Sequence, residues 1–191
     1  ITLPTDPIQH IDGEGEIALC ILSAINVGRI NYIDDLESLC DLAVRALDEI
    51  IDHQKYPVKA AEISTKARRS LGIGYIGLAH YLAKSKVSYE DKAAWKEVDE
   101  LTEAFQYYLL KASNELAKEK GPCDYFNRTK YSDGILPIDT YKKEVDEIVN
   151  RKLSMKWEQL RKSIKENGLR HSTLSAQMPS ESSSVVSNAT N

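Results

Sequence analysis

The chain has 191 residues, 42% of them hydrophobic and 28% charged, with 25 Lys and Arg against 29 Asp and Glu for a net charge of −4. That length carries one domain with a sizeable core, and an acidic balance without a long basic run excludes a dedicated nucleic-acid binder. No stretch approaches the roughly 18 consecutive apolar residues of a membrane helix.

Ile1-Thr2-Leu3-Pro4 is neither a basic n-region nor an apolar signal core, and Ser187 to Asn191 stop in what reads as a helical segment. The expectation is an internal fragment of a longer polypeptide. From Glu16 to Ile33, Ile17, Leu19 and Ile21 alternate with Ala18, Cys20 and Leu22, a pattern that predicts a strand buried on both faces. Asp34-Asp35 then open a helix and supply its cap. Leu36, Leu39, Cys40, Ala43, Leu47, Ile50 and Ile51 hold one buried stripe as far as Pro57. A second helical stretch is predicted over Ile63 to Ala83, weakened by its glycines.

The strongest helix runs from Tyr89 to Lys118, with Trp95, Val98, Leu101, Phe105, Leu109, Ala112 and Leu116 as its stripe and Gly121-Pro122 as its stop. Within it, one ring of Tyr107-Tyr108 packs and the other faces the rim. Residues 121–138 carry turn chemistry, and Asp139 to Val149 and Met155 to Glu166 are two further helices. Ser172 to Ala176 is short and β-permissive. Pro179 follows, and then Ser180-Glu181-Ser182-Ser183-Ser184, which by composition alone resembles a disordered tail.

Cys20, Cys40 and Cys123 form no CxxC pair, zinc pattern or disulfide framework and read as reduced structural thiols of a cytoplasmic protein. His10, His53, His80 and His171 lack the spacing of a metal pair, so no metal ligand is assigned. Gly72 to Gly77 spell G-x-G-x-x-G, but no buried strand precedes them and Glu90-Asp91 start a helix. Helix packing through small residues explains them better than a dinucleotide. Arg68-Arg69 reads as a solvated pair. Asn127-Arg128-Thr129 and Asn188-Ala189-Thr190 fit the glycosylation sequon, which has no meaning without a secretory signal.

The chemically suggestive segment is Thr173 to Asn191. A short strand, a proline and serines entering a helix aim free backbone N–H groups at an anion. Ordinary capping by Ser180 or Ser182 competes with that reading, and Glu181 repels a phosphate unless its carboxylate points away.

Trp157-x-x-Leu160, then Gly168-Leu169-Arg170-His171, Ser175-Ala176 and Pro179 resemble the signature of ribonucleotide reductase large subunits. Leu109 to Ala117, Gly134 to Lys143 and Met178-Pro179-Ser180-Glu181 agree with the class I, diphosphate-reducing subunit of enterobacteria and their large phages. The resemblance covers the whole chain and implies a mostly helical α/β fragment of a ten-stranded α/β barrel. Its expected division is a leading segment and buried strand (1–33), a helical block (34–168), and a strand with a phosphate-binding loop and helix start (169–191).

The resemblance further implies reduction of ribonucleoside diphosphates to deoxyribonucleoside diphosphates by radical chemistry in the cytoplasm of a bacterium or a phage-infected cell. A thiyl radical on a finger loop abstracts the 3′ hydrogen, and a cysteine pair supplies the electrons. The family's substrate-diphosphate loop maps onto Ser180, Glu181, Ser182 and Ser183, with Glu181 contributing its backbone N–H. The resemblance places the finger loop, both cysteines of the reducing pair, the radical-relay tyrosines and the allosteric, ATP-binding effector site outside the chain. None of the three cysteines matches the family's motifs, so no catalytic residue is assigned and the chain alone is expected to be inactive. It binds no cofactor of its own. The metal-radical cofactor belongs to a small partner subunit, the reductant is a dithiol, and the other partners are the rest of the large subunit and the diphosphate substrate; no nucleic acid or membrane is expected. A free-standing helical interaction module is the alternative.

Overall fold

The computed structural model describes residues 15–191; Ile1 to Pro4 and His10 lie outside them. In chain order the elements are β1 (Ile21–Asn26), α1 (Asp35–His53), α2 (Lys59–Arg68), β2 (Leu71–Ile76), α3 (Leu78–Lys84), α4 (Lys92–Lys120), α5 (Pro137–Thr140), α6 (Glu144–Val149), α7 (Trp157–Asn167) and α8 (Glu181–Ser187). Short 3-10 turns lie at Val27–Arg29 and Phe126–Arg128.

β1 and β2 pair in parallel, in register from Ile21 opposite Leu71 to Asn26 opposite Ile76, with α1 and α2 forming the crossover. The far edge of β2 takes a third parallel segment. Leu71 N donates to Thr173 O at 3.0 Å, Ile73 N to Leu174 O at 2.8 Å, and Ala176 N returns to Ile73 O at 3.1 Å. Its single ladder bridge joins Ile73 and Ser175. β2 is therefore the central strand of the three, and all of them point the same way.

Two sequence expectations change here. The first strand starts at Ile21 rather than Glu16 and lies at an edge, with Leu22 53% exposed, so it is not buried on both faces. The helix expected over Ile63 to Ala83 is two helices with β2 between them. Leu71, Ile73 and Tyr75 alternate with Gly72 and Gly74, a period of two that the missing side chains hide from a hydrophobicity count. The glycine run is thus the strand itself, and neither a helix-packing face nor a dinucleotide turn.

The core lies between this sheet, α1 and α4. Leu36, Cys40, Val44, Leu47 and Ile51 of α1 meet Leu101, Phe105, Leu109 and Leu116 of α4, all buried. Ile50 departs from the predicted stripe at 45% exposure, and Val44 replaces it. Trp95 also turns outward, its indole N–H donating to Tyr89 O at 2.9 Å. Asp35 binds the amides of Asn31 and Tyr32 instead of capping α1 from inside, and Asp34 makes no cap bond.

Tyr107 stands edge-on to both Tyr108 and Trp157, at 5.6 and 5.2 Å between ring centroids. Glu103, buried on α4, accepts from Met155 N at 3.0 Å, Trp157 Nε1 at 2.9 Å and Arg151 Nη1 at 2.6 Å, and so seats the start of α7. The single helix expected over Asp139 to Val149 is α5 and α6. Asp139 is held by Leu136 N at 2.7 Å and by Arg161, which fixes a new turn before α6 begins.

Candidate anion site at the strand ends

The parallel sheet brings Asn26, Ile76 and the end of the 173–176 segment to one side. In parallel α/β sheets the loops at the carboxyl ends of the strands carry the ligand sites. Here those loops lead into α3 and α8. Gly77, at φ +81° where an L side chain is strained, turns the chain from β2 into α3, and its amide donates to Thr190 O at 2.8 Å. That bond ties the residues after α8 back to the end of β2.

The serine run is ordered as α8 rather than a tail, and the helix stops at Ser187 with Asn188 left-handed. Ser180 is its N-cap residue but makes no side-chain cap bond; its hydroxyl goes to Asn191 Oδ1. The first amide used inside the helix is that of Ser184, donating to Ser180 O at 2.8 Å. The amides of Glu181, Ser182 and Ser183 thus have no acceptor among the described residues, as the first turn of a helix requires. Ser183 Oγ donates to Ser180 O at 3.2 Å, whereas Ser182 Oγ has no partner among the described residues. All three residues are exposed. The four consecutive residues singled out in the sequence form the cap and first turn of α8, with the Ser183 hydroxyl turned to the backbone and the Ser182 hydroxyl unpaired among the described residues.

Leading up to Pro179 is a groove of about 410 Å³, lined among others by Leu19, Cys20, Leu71, Ser175 and Met178. Gly72 lets it form. A Cβ there would lie 2.8 Å from Cys20 Sγ and 3.4 Å from Ala176 Cβ, so the thiol crosses the strand onto the segment that ends in the serine loop. Cys40 and Cys123 are buried, and burial pushes the Cys40 thiol up to about 12, which makes it inert. The sequence reading set all three thiols aside. The geometry reopens Cys20, whose reach to the groove no linear spacing reveals.

A second polar constellation lies beneath the sheet. Asp48, at 0% exposure, accepts from Arg69 Nε at 2.6 Å, His171 Nε2 at 3.2 Å and Arg170 Nε at 3.2 Å, all on Oδ1, and from Lys120 Nζ at 3.3 Å on Oδ2. His171 Nδ1 lies 2.9 Å from Ser113 Oγ. Ser113, His171 and Asp48 repeat the order of a nucleophile triad, but each is at 0% exposure and no substrate reaches them. Arg69 is buried at 4%, bridging Asp48 and Asp52, and so is not part of a solvated pair; Arg68 pairs with Glu16.

Burial would raise the Asp48 carboxyl, but hydrogen bonds from His171 and Arg69, with the Arg69 charge, outweigh it and hold the group well below the usual carboxylate range. Burial lowers His171, and the bond to Asp48 only partly opposes it. Both shifts have the same consequence. Below His171's unfolded-chain value of 6.5 the unfolded chain takes a proton that the folded one refuses, and near 3.8 the same becomes true of Asp48. Stability is therefore expected to be full above neutral pH, to fall from about pH 6.5 downward and to fall again near pH 4. Melting curves recorded from pH 8 to pH 4 check this; a melting temperature flat between pH 7 and pH 5 contradicts it.

His53 is exposed beside Glu49, and the described residues hold no group of three His, Cys, Asp or Glu side chains that could ligate a metal. No helix among them is long and apolar enough to cross a membrane.

A parallel α/β sheet with a donor-rich loop at its strand ends defines the class of this domain. The comparisons with known proteins carry it further. The whole chain, residues 1–191, matches the family model described as ribonucleotide reductase, barrel domain. It is 60% identical over 192 residues to the ribonucleoside-diphosphate reductase subunit alpha of Buchnera aphidicola subsp. Schizaphis graminum, and equally so to that of Haemophilus influenzae. To the subunit alpha of Enterobacteria phage T4 it is 47% identical over 193 residues. Each alignment covers 100% of this chain and 25% of the relative, so the chain spans about a quarter of their length. The chain belongs to the ribonucleotide reductase barrel-domain family.

Proposed function

We propose that this chain is the substrate-diphosphate-binding piece of a ribonucleoside-diphosphate reductase large subunit. The observation that carries the reading is the set of three uncommitted amides, Glu181 to Ser183, with the Ser182 hydroxyl beside them, at the carboxyl ends of parallel strands. Backbone N–H groups at a helix start favour an anion, and they do so without a lysine or arginine. Glu181 takes part through its amide, its carboxylate staying in solvent.

Anchoring both phosphates fixes the far end of the nucleotide, so that the ribose lies over the groove and meets the reacting groups in one orientation. Positioning of this kind lowers a barrier by several kcal/mol without any contact to the bonds that change. Replacing the 2′-OH by hydrogen needs two electrons. Cys20, half-buried on the groove, is the thiol of this chain placed to belong to the reducing pair, with its partner elsewhere in the polypeptide. Radical generation falls to a small subunit carrying the metal cofactor, in the cytoplasm, and the chain alone lacks the parts for turnover.

The test is steady-state reduction of nucleoside diphosphates by the assembled enzyme. Ser182→Ala/Ser183→Ala is expected to raise KM about tenfold, the equivalent of one hydrogen bond to a charged group, with kcat nearly unchanged. Cys20→Ser is expected to leave KM in place and abolish turnover. An unchanged KM in the double variant contradicts the loop assignment, and full turnover without the Cys20 thiol contradicts its role.

A further inference from the structure

The cluster around Asp48 does more than fill the interior. Besides their side-chain bonds, its members hold the backbone of one segment from several elements at once. His171 N donates to Ser113 Oγ at 3.2 Å and Arg170 N to Ser113 O at 3.2 Å, both on α4. Ser172 N donates to Arg68 O at 2.9 Å at the end of α2. The neutral ring closes the circuit with every atom satisfied. Nε2–H donates to Asp48, Nδ1 accepts the Ser113 hydroxyl proton, and Ser113 Oγ is left to accept the His171 amide.

We propose that Asp48, His171 and Ser113 are positioning residues that lock the register of residues 172–179 against β2 and thereby set where the Ser180 to Ser183 donors stand, an inference that rests on the diphosphate reading above. Three observations carry it. The third segment pairs with β2 through three backbone hydrogen bonds and one ladder bridge, alongside Gly72 and Gly74, and register against a Gly-rich strand is weakly specified and prone to slip. A slip of one residue is about 3.3 Å, far beyond what a phosphate site tolerates. Eight residues, 172–179, separate His171 from Ser180 with no helix between them, so a shift at the start of the segment is passed along to the loop.

The far end is braced as well. Tyr75 N donates to Gln177 Oε1 at 3.1 Å, and Gly74 receives Ala176 O where a Cβ would stand, 2.4 Å away. Finally, a buried ion cluster adds little stability over apolar packing of the same volume. What it adds is a single arrangement, because Arg170 and His171, which lead into the segment, lose their shared acceptor Asp48 if the segment moves.

The experiment compares His171→Ala, Ser113→Ala and His171→Asn in the assembled enzyme. His171→Ala is expected to raise KM for the diphosphate substrate about tenfold with kcat changed less than about threefold, and to speed hydrogen exchange across 173–184. Ser113→Ala, which leaves Asp48 and its cations paired, is the milder version and is expected to raise KM about threefold. His171→Asn keeps a donor and an acceptor and restores most of the loss. Unchanged KM and unchanged exchange in His171→Ala overturn the proposal, as do kcat and KM that decline together without rescue by Asn. Faster exchange with KM unchanged also overturns it if Ser182→Ala/Ser183→Ala does raise KM; if that double variant is silent, the diphosphate reading is what fails.

Discussion

Replacing Asp48 by Ala is expected to destabilise the fold by about 3–5 kcal/mol, the range for removing one partner of a buried ion pair. The carboxylate faces Arg69, Arg170, His171 and Lys120; Arg69 has Asp52 and Lys120 has Glu49 to fall back on, whereas Arg170 and His171 have no second carboxylate among the described residues. Its removal leaves a buried guanidinium, at 4% exposure, with half its neutralisation and the His171 ring without an acceptor. Asp41, which forms an i,i+4 pair with Arg45 on the surface, is the control. Asp41→Ala is expected to cost under about 1 kcal/mol, since both side chains are more than a third exposed. Denaturant unfolding of the two variants measures the contrast, and an Asp48→Ala loss no larger than that of Asp41→Ala contradicts the account of the cluster.

Gly74→Ala has the largest expected effect on activity of any change that leaves the Cys20 thiol in place. Its Cβ would stand 2.4 Å from Ala176 O, 2.5 Å from Gln177 Oε1 and 2.8 Å from Met178 Cε. Two of these are side-chain ends that swing away, but the carbonyl is backbone, so the third strand itself must retreat by about 1 Å. Forcing a methyl into such a contact costs about 1–3 kcal/mol of stability. A displacement of about 1 Å just before a substrate anchor lowers kcat/KM by about 100-fold. Gly121→Ala separates crowding from backbone strain: its φ is +84°, and nothing stands within 4 Å of its Cβ. It is expected to lose stability alone. Equal kinetics in the two variants would mean that the close approach at Gly74 does not matter to the site.

These expectations bear on what the chain discloses before it is folded. α1, α4 and α7 are legible because their apolar residues recur at helical spacing over several turns. β2 is not, because glycine at 72 and 74 removes the side chains whose alternation marks a strand, and the neighbours that fill those gaps, Cys20, Leu22 and residues 176–178, come from distant parts of the chain. The serine loop was readable from Pro179 and the hydroxyl run, since a helix start is local chemistry. The Asp48 cluster was not: its members stand up to 123 residues apart, Arg69 reads as half of a solvated pair, and Arg170-His171 stand out through the family signature rather than through charge. Cys20 fell between the two, visible as a thiol but with no local sign that it faces a groove.

The most direct test of the central claim is amide hydrogen exchange at Glu181, Ser182 and Ser183 in the assembled enzyme, with and without a nucleoside diphosphate. If those amides hold the substrate's phosphates, exchange there slows with the diphosphate, and does so far less with the corresponding nucleoside. Exchange at the three positions that is the same with diphosphate, nucleoside or neither would place the phosphates elsewhere and leave α8 a structural helix.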